Sequence, residues 1–148
     1  MCVAERNRKL LADFFTHVLN AHDLMPIDGF LSPDFVNRTP LPGTSCCTEG
    51  FKRTLTITFC CYHDLHYTWT NCTVKDDRVT IRWVAEASHP GGVIGKQGVI
   101  VPVGRKLRWE GETVVRIRDG RIEEWLTRQD EASLLEQLGA LPLVLVEN

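Results

Sequence analysis

The hydrophobic pattern of this chain changes period at Asp64, and that change dictates a two-part architecture. Before it, Leu10, Leu11, Phe14, Phe15, Val18 and Leu19 recur at helical spacing. This predicts a helix from Glu5 to Asn20 with one apolar face. After it, Leu65, Tyr67 and Trp69 alternate with His66, Thr68 and Thr70, and Val79, Ile81 and Trp83 alternate with Thr80, Arg82 and Val84. A period of two belongs to strands with one dry face. Helices therefore pack against one side of a sheet.

The remaining elements follow from punctuation. A short second helix is expected from Leu24 to Leu31, limited by Pro26 and Gly29. Ser32-Pro33-Asp34 has the form of an N-cap with proline at the first helical position. Phe35 to Arg38 reads as a brief strand and Thr39 to Gly43 as a loop; Thr48 is expected to cap a third helix running to Phe59. Lys75-Asp76-Asp77-Arg78 is a polar turn between the first two strands. A second strand pair runs from Lys106 to Arg118 and from Arg121 to Arg128, joined at Asp119-Gly120. The glycine-rich stretch His89 to Gly98 reads as a loop, and Asp130 to Leu138 as a closing helix. The sum is an α+β cone: a curved antiparallel sheet wrapped around N-terminal helices, with a cavity at its open end.

At 148 residues the chain fits one domain, 1–148, with one core. A net charge of −2 speaks against nucleic acid or an anionic membrane as partner. The N-terminus shows no secretion signature and no window is apolar enough to span a bilayer, so a cytoplasmic protein is expected. Six cysteines include the adjacent pairs Cys46-Cys47 and Cys60-Cys61, without the spacing of a zinc site. They are expected to be reduced thiols behaving as small hydrophobes, with Cys60 or Cys61 near His63 as the local alternative for a nucleophile. The stretch Leu141-Pro142-Leu143-Val144-Leu145-Val146 is apolar and is expected to lie against its own sheet or a second copy, which favours a homodimer.

Acidic side chains on the last strands carry the question of chemistry. Glu112 and Glu124 lie almost symmetrically about Asp119-Gly120, so antiparallel pairing is expected to bring them together on one face. Neighbouring carboxylates in a dry pocket split their pKa values, which leaves one acid and one base. A solvated strand face with Arg116 and Arg128 alongside is the competing reading. Asp130 either caps the closing helix or reaches the pocket. His89, before Pro90-Gly91-Gly92, sits at the expected mouth, where an imidazole can exchange protons around neutral pH. His63 is expected to be exposed, and His66 is left open. Phe15, Trp69, Trp83 and Trp109 are expected as core or pocket wall, suited to a flat hydrophobic ligand.

Several of these segments, in this order, resemble the SnoaL-like polyketide cyclases of the nuclear transport factor 2-like (cystatin-like) superfamily. They include Phe14-Phe15 with Val18 to Leu24, Ser32 to Pro40, Glu49-Gly50-Phe51-Lys52, Tyr62-His63-Asp64-Leu65, Arg82-Trp83, Ser88-His89 and Val115-Arg116-Ile117. The resemblance covers Leu10 to Gly139. It implies a cone-shaped α+β barrel, often dimeric, that needs no metal or organic cofactor. It also places Asn37 and Arg38 where the family presents side chains to substrate, and an arginine there can hold a carboxylate or enolate oxygen. The family's aldol cyclases carry an inward histidine three residues before the strand arginine and an aspartate seven residues after the turn glycine. Counted from Arg116 and Gly120, those positions are Thr113 and Thr127. Either a one-residue bulge, which the early position of Trp125 suggests, shifts the register, or other groups act. The expected function is a cofactor-independent acid/base enzyme of secondary metabolism that cyclises or rearranges a small polyketide- or terpenoid-like substrate. Glu112, Glu124, Asp130 and His89 would be its acids and bases. The alternatives are an epoxide hydrolase or isomerase of the same fold, or a non-catalytic small-molecule-binding module.

Overall fold

A computed structural model of the chain describes residues 2–89, 92–94, 99–101 and 105–130. Helix α1 spans Val3–Phe14 and continues as a wider π-helical stretch, Phe15–Asn20. Helix α2 is Ile27–Phe30 and α3 is Thr48–Cys61. The strands are β1 Leu31–Asn37, β2 His66–Lys75, β3 Arg78–His89, β4 Gly92–Ile94, β5 Val99–Val101, β6 Arg105–Arg118 and β7 Arg121–Gln129. Five of them form one sheet in the order β1-β7-β6-β3-β2, antiparallel except where β1 runs parallel to β7. The α+β architecture expected from the change of period is present.

The wide turn after α1 has a packing consequence. Phe14 and Phe15 are adjacent, yet both are fully buried. Phe14 meets Phe30 and Phe51, while Phe15 turns onto the sheet against Tyr67 and Trp69. Trp125 of β7 ties the two groups together, with ring centroids 5.3 Å from Phe14, 6.0 Å from Phe15 and 5.2 Å from Phe51. At the end of the π-helical stretch the Asn20 amide binds the Tyr67 backbone twice, accepting from its N–H at 2.7 Å and donating to its carbonyl at 3.0 Å. Among the described strands β2 is at the sheet edge, so this side chain satisfies backbone groups that no described strand reaches.

Three expectations are corrected. Ser32-Pro33-Asp34 lies in β1 and does not begin a helix. Proline lacks an N–H to donate, and β1 tolerates it as an edge strand whose register against β7 is irregular between Leu31 and Val36. The His89–Gly98 loop is partly extended: β3 continues to His89, paired with Arg105, and β4 and β5 form a separate two-stranded pair. Their β-branched residues Val93, Ile94, Val99, Ile100 and Val101 favour strands over an open loop. Cys47 rather than Thr48 is the residue ahead of α3. The expected helix to Leu138 and the apolar stretch Leu141–Val146 lie outside the described residues.

The turns obey residue chemistry. Asp119 and Gly120 both have positive φ, 51° and 74°, as a tight two-residue hairpin requires. One bulge interrupts β2 between Trp69 and Asn71, and another interrupts β7 between Ile122 and Glu124. Near the first of these, Trp69, Trp83, Gly111 and Gln129 pair in one row across four strands. Gly111 is required there, because a methyl group would overlap the six-membered ring of Trp83 and lie 2.9 Å from the Arg128 carbonyl oxygen. Gly111→Ala is expected to destabilise the fold by about 1–3 kcal/mol, the usual cost of overpacking a filled site. A urea midpoint equal to that of the unaltered protein would contradict this account of the row.

Candidate functional site

Strand alternation sorts every sheet residue to one of two faces. The inner face, under the helices, takes Tyr67, Trp69, Cys72 and Val74 from β2 and Val79, Ile81, Trp83, Ala85 and Ala87 from β3. It takes Leu107, Trp109, Gly111, Thr113, Val115 and Ile117 from β6 and Ile122, Trp125, Thr127 and Gln129 from β7. Leu31, Phe35 and Asn37 of β1 complete it. Among the described residues, none of these side chains is ionisable as an acid or cation at neutral pH.

The polar groups on this face are hydrogen-bonded to one another. Trp83 Nε1 donates to Thr113 Oγ1 at 3.0 Å, and Thr113 Oγ1 lies 2.9 Å from Thr127 Oγ1. Trp109 Nε1 donates to Gln129 Oε1 at 3.2 Å. Asn37, buried at the end of β1, accepts from the Thr39 backbone N–H at 3.0 Å, and Thr39 Oγ1 accepts from the Thr127 N–H at 3.1 Å. These groups follow the sealed aromatic core around Trp125 along β7, toward the end of the strand where exposure rises from Trp125 to Thr127 to Gln129. The half-buried rings of Tyr67, Trp69 and Tyr62 stand nearby; Tyr67 meets Trp83 edge-on and Tyr62 tilts against Trp109. Burial raises the pKa of both phenols, so each stays protonated. The site offers neutral hydroxyl, amide and indole groups among aromatic faces. Such a surface suits a hydrophobic molecule that carries carbonyl or phenolic oxygens.

Two of the predicted acids, Glu112 and Glu124, are not on this face. Glu112 and Glu124 share the outer face, each beside an inward residue, Thr113 and Trp125 respectively. They are not neighbours either: Glu112 pairs with Arg128 and Glu124 with Arg116, four positions apart along β6. That spacing is roughly 13 Å at the rise of an extended strand. Glu124 is in an ion pair with Arg38, whose Nη2 donates to Oε1 at 3.0 Å, with Arg116 Nη1 3.7 Å from the same oxygen. The Arg38 hydrogen bond, opposed by partial burial and assisted by Arg116, holds the Glu124 carboxyl below the usual range. Arg38 thus faces outward, while Asn37 faces in.

Glu112, Asp130 and Trp83 do border one space, a hollow of about 530 Å³ on the outer side of the sheet at Gly111. Arg82, Arg128, Glu110 and Thr68 share its lining, and Gly111 and Gln129 of the inner tracks border it at the strand end. This hollow is open and charged, the reverse of the dry pocket expected for two carboxylates. The Asp130 backbone N–H donates to the Glu110 carbonyl, so at this residue the chain is still held by the sheet. His89 ends β3, and its side chain lies outside the described residues. His63 and His66 are exposed. Phe15 is sealed in the core, whereas Trp69 is half-buried. The expected bulge exists between Ile122 and Glu124, and beyond it Thr113 and Thr127 face each other directly on the inner side. Thr39, Tyr67 and Gln129 escaped the sequence reading; for Tyr67 and Gln129, the alternation with Trp69 and Trp125 was the available signal.

The six cysteines are free, but five are exposed rather than buried as small hydrophobes. Among the described residues no group of three or more His, Cys, Asp or Glu could hold a metal, and no helix is long and apolar enough to cross a membrane.

The profile of the SnoaL-like polyketide cyclases matches residues 9–138. The chain belongs to this family. Among solved structures it is similar to IdmH of Streptomyces antibioticus, a candidate polyketide cyclase, at 29% identity and a TM-score of 0.76, covering 90% of this chain and 98% of that one. It is also similar to AclR of Streptomyces galilaeus, a candidate hydroxylase, at 26% identity and a TM-score of 0.74, covering 91% and 97%. A SnoaL-like protein of Jannaschia shares the fold at a TM-score of 0.79 and 18% identity, covering 96% and 97%. No curated protein matches the sequence.

The Arg38–Glu124 pair gives a testable pH dependence. A carboxylate with a lowered folded-state pKa stabilises the fold fully above its unfolded value, about 4.3 for glutamate. That contribution disappears as pH falls through the lowered value. Glu124→Gln is therefore expected to cost up to about 1 kcal/mol near neutral pH, with the difference shrinking in acid. Urea midpoints of both proteins across that range check it; an equal gap at all pH values would contradict it.

Proposed function

We propose that this protein is a cofactor-independent enzyme of the polyketide-cyclase type, acting on a small hydrophobic substrate with carbonyl or phenolic oxygens. The substrate would lie against the inner sheet face beyond Trp125. The observation that carries this reading is the hydrogen-bonded set Trp83, Thr113, Thr127, Trp109 and Gln129, which is neutral and bordered by the half-buried rings Tyr67, Trp69 and Tyr62. Family membership and the likeness to IdmH support a ring-forming or rearranging reaction; the likeness to AclR keeps hydroxylation within the same class. The acids proposed from sequence do not serve this site through Glu112 and Glu124, which lie on the other face. Asp130 at the strand end and His89 at the end of β3 stay in the proposal as groups for proton transfer near the rim.

One observation favours a second reading, a binding module without turnover. Threonines stand at both positions where the resemblance implies the aldol base pair, and threonine is no base around neutral pH. The inner face gives no support to epoxide opening by a carboxylate-held water, since its described side chains include no carboxylate. A cytoplasmic homodimer remains part of the proposal on sequence grounds, through the apolar stretch Leu141–Val146.

Four tryptophans make the site readable by NMR. On addition of 1,8-dihydroxyanthraquinone, the indole N–H resonance of Trp109, which does not border the outer hollow, is expected to move while that of Trp125 stays. If only outer-face amides such as those of Arg82, Glu112 and Arg128 moved, the ligand site would be the outer hollow and the proposal would fail.

A further inference from the structure

The hydrogen-bond chain on the inner face has a direction that chemistry fixes. An indole N–H can only donate, so Thr113 Oγ1 is the acceptor of the 3.0 Å bond from Trp83. Thr127 Oγ1, at 2.9 Å, is the other partner of that hydroxyl. Thr113 is 1% exposed, so bulk water does not reach its proton. If Thr127 were the donor, the buried Thr113 O–H would have no acceptor among the described residues, an arrangement folded proteins avoid. The proton of Thr113 therefore goes to Thr127, and the half-buried Thr127 keeps an O–H that no described residue accepts.

Resting on the reading of the inner face as the ligand site, we infer that Thr127 is a fixed hydroxyl donor to a ligand oxygen. That oxygen is a carbonyl, enolate or phenolate. Thr113 and Trp83 are the positioning residues behind it. Both threonines are β-branched, which restricts rotation about χ1 and holds the two hydroxyls in line. The Thr127 N–H is taken by Thr39 Oγ1 at 3.1 Å, which fixes the strand end from the other side. Each hydroxyl accepts before it donates, so the series polarises the last O–H and makes it a stronger donor.

The pair stands where the resemblance places a histidine and an aspartate, and its chemistry is different. It does not remove a proton. It polarises a carbonyl, or holds negative charge that develops on its oxygen, and no described inward side chain supplies a counter-ion. Selectivity follows: among ligands of one shape, the anion of a phenol gains more from the donor than the neutral phenol does.

Two fluorescent probes of one shape, 2-naphthol and naphthalene, test this without knowledge of the substrate. Binding is measured on either side of the pKa of the free naphthol, for the unaltered protein and for Thr127→Val, Thr127→Ser, Thr113→Val and Thr113→Ser, each checked for an unchanged urea midpoint. Thr127→Val should weaken naphtholate binding about tenfold and raise the pKa of bound naphthol, with naphthalene binding unchanged. Thr127→Ser should restore it. Thr113→Val should raise the bound pKa in the same direction and Thr113→Ser should reverse that, which a merely structural role would not do. If naphthalene binds but the naphthol-to-naphtholate preference is the same in Thr127→Val, the donor assignment fails while the ligand site stands. If neither probe binds the unaltered protein, the ligand-site reading itself fails.

Discussion

A sheet wrapped around helices has one face that water cannot reach, and an unpaired charge on that face costs far more than a single domain can spare. Among the described side chains, every strand of the five-stranded sheet respects that limit. On β6 the inward track Leu107, Trp109, Gly111, Thr113, Val115, Ile117 holds no charge, while Glu110, Glu112, Arg116 and Arg118 turn outward. The Trp125 contacts with Phe14, Phe15 and Phe51 then lock the helices to that dry surface. The charges left outside find partners in one another, as in Arg38–Glu124 and Arg116–Asp77. Where the aromatic packing stops, the inward residues become threonine and glutamine, polar enough for a ligand and neutral enough for the core.

The polar inner groups are held by the same geometry. Trp83 reaches Thr113 because Gly111, its direct cross-strand partner, has no side chain to displace the indole. The bulge between Ile122 and Glu124 shifts β7 by one residue, which sets Thr127 opposite Thr113. A single glycine and a single extra residue thus decide which groups meet. A fold alone does not fix a chemistry, and details of this kind can decide it.

Much of the architecture was legible in the sequence, because burial on one face imposes a period that composition cannot hide. The helix ending at Asn20, the paired strands and the Asp-Gly hairpin all follow from periodicity and turn chemistry. Ser32-Pro33-Asp34 misled because its local preference is helical, whereas pairing with β7 at the sheet edge overrides it. The acids misled for another reason. Glu112 stands seven residues before Asp119 and Glu124 only four after Gly120, and residues pair across a hairpin only when they are nearly equidistant from its turn. Alternation with Trp125 and Thr113 already assigned both glutamates to the outer face. The threonine pair was counted in the sequence as the loss of a base; only the structure shows it hydrogen-bonded to Trp83.

We place ligand chemistry on the neutral inner face and not in the charged outer hollow. The most direct measurement is a crystal structure of the protein soaked with 1,8-dihydroxyanthraquinone. Density for the ring system is expected beyond Trp125, with a quinone oxygen within hydrogen-bonding distance of Thr127 Oγ1. Density instead in the hollow between Arg82, Glu112 and Arg128, with the inner face empty, would contradict it.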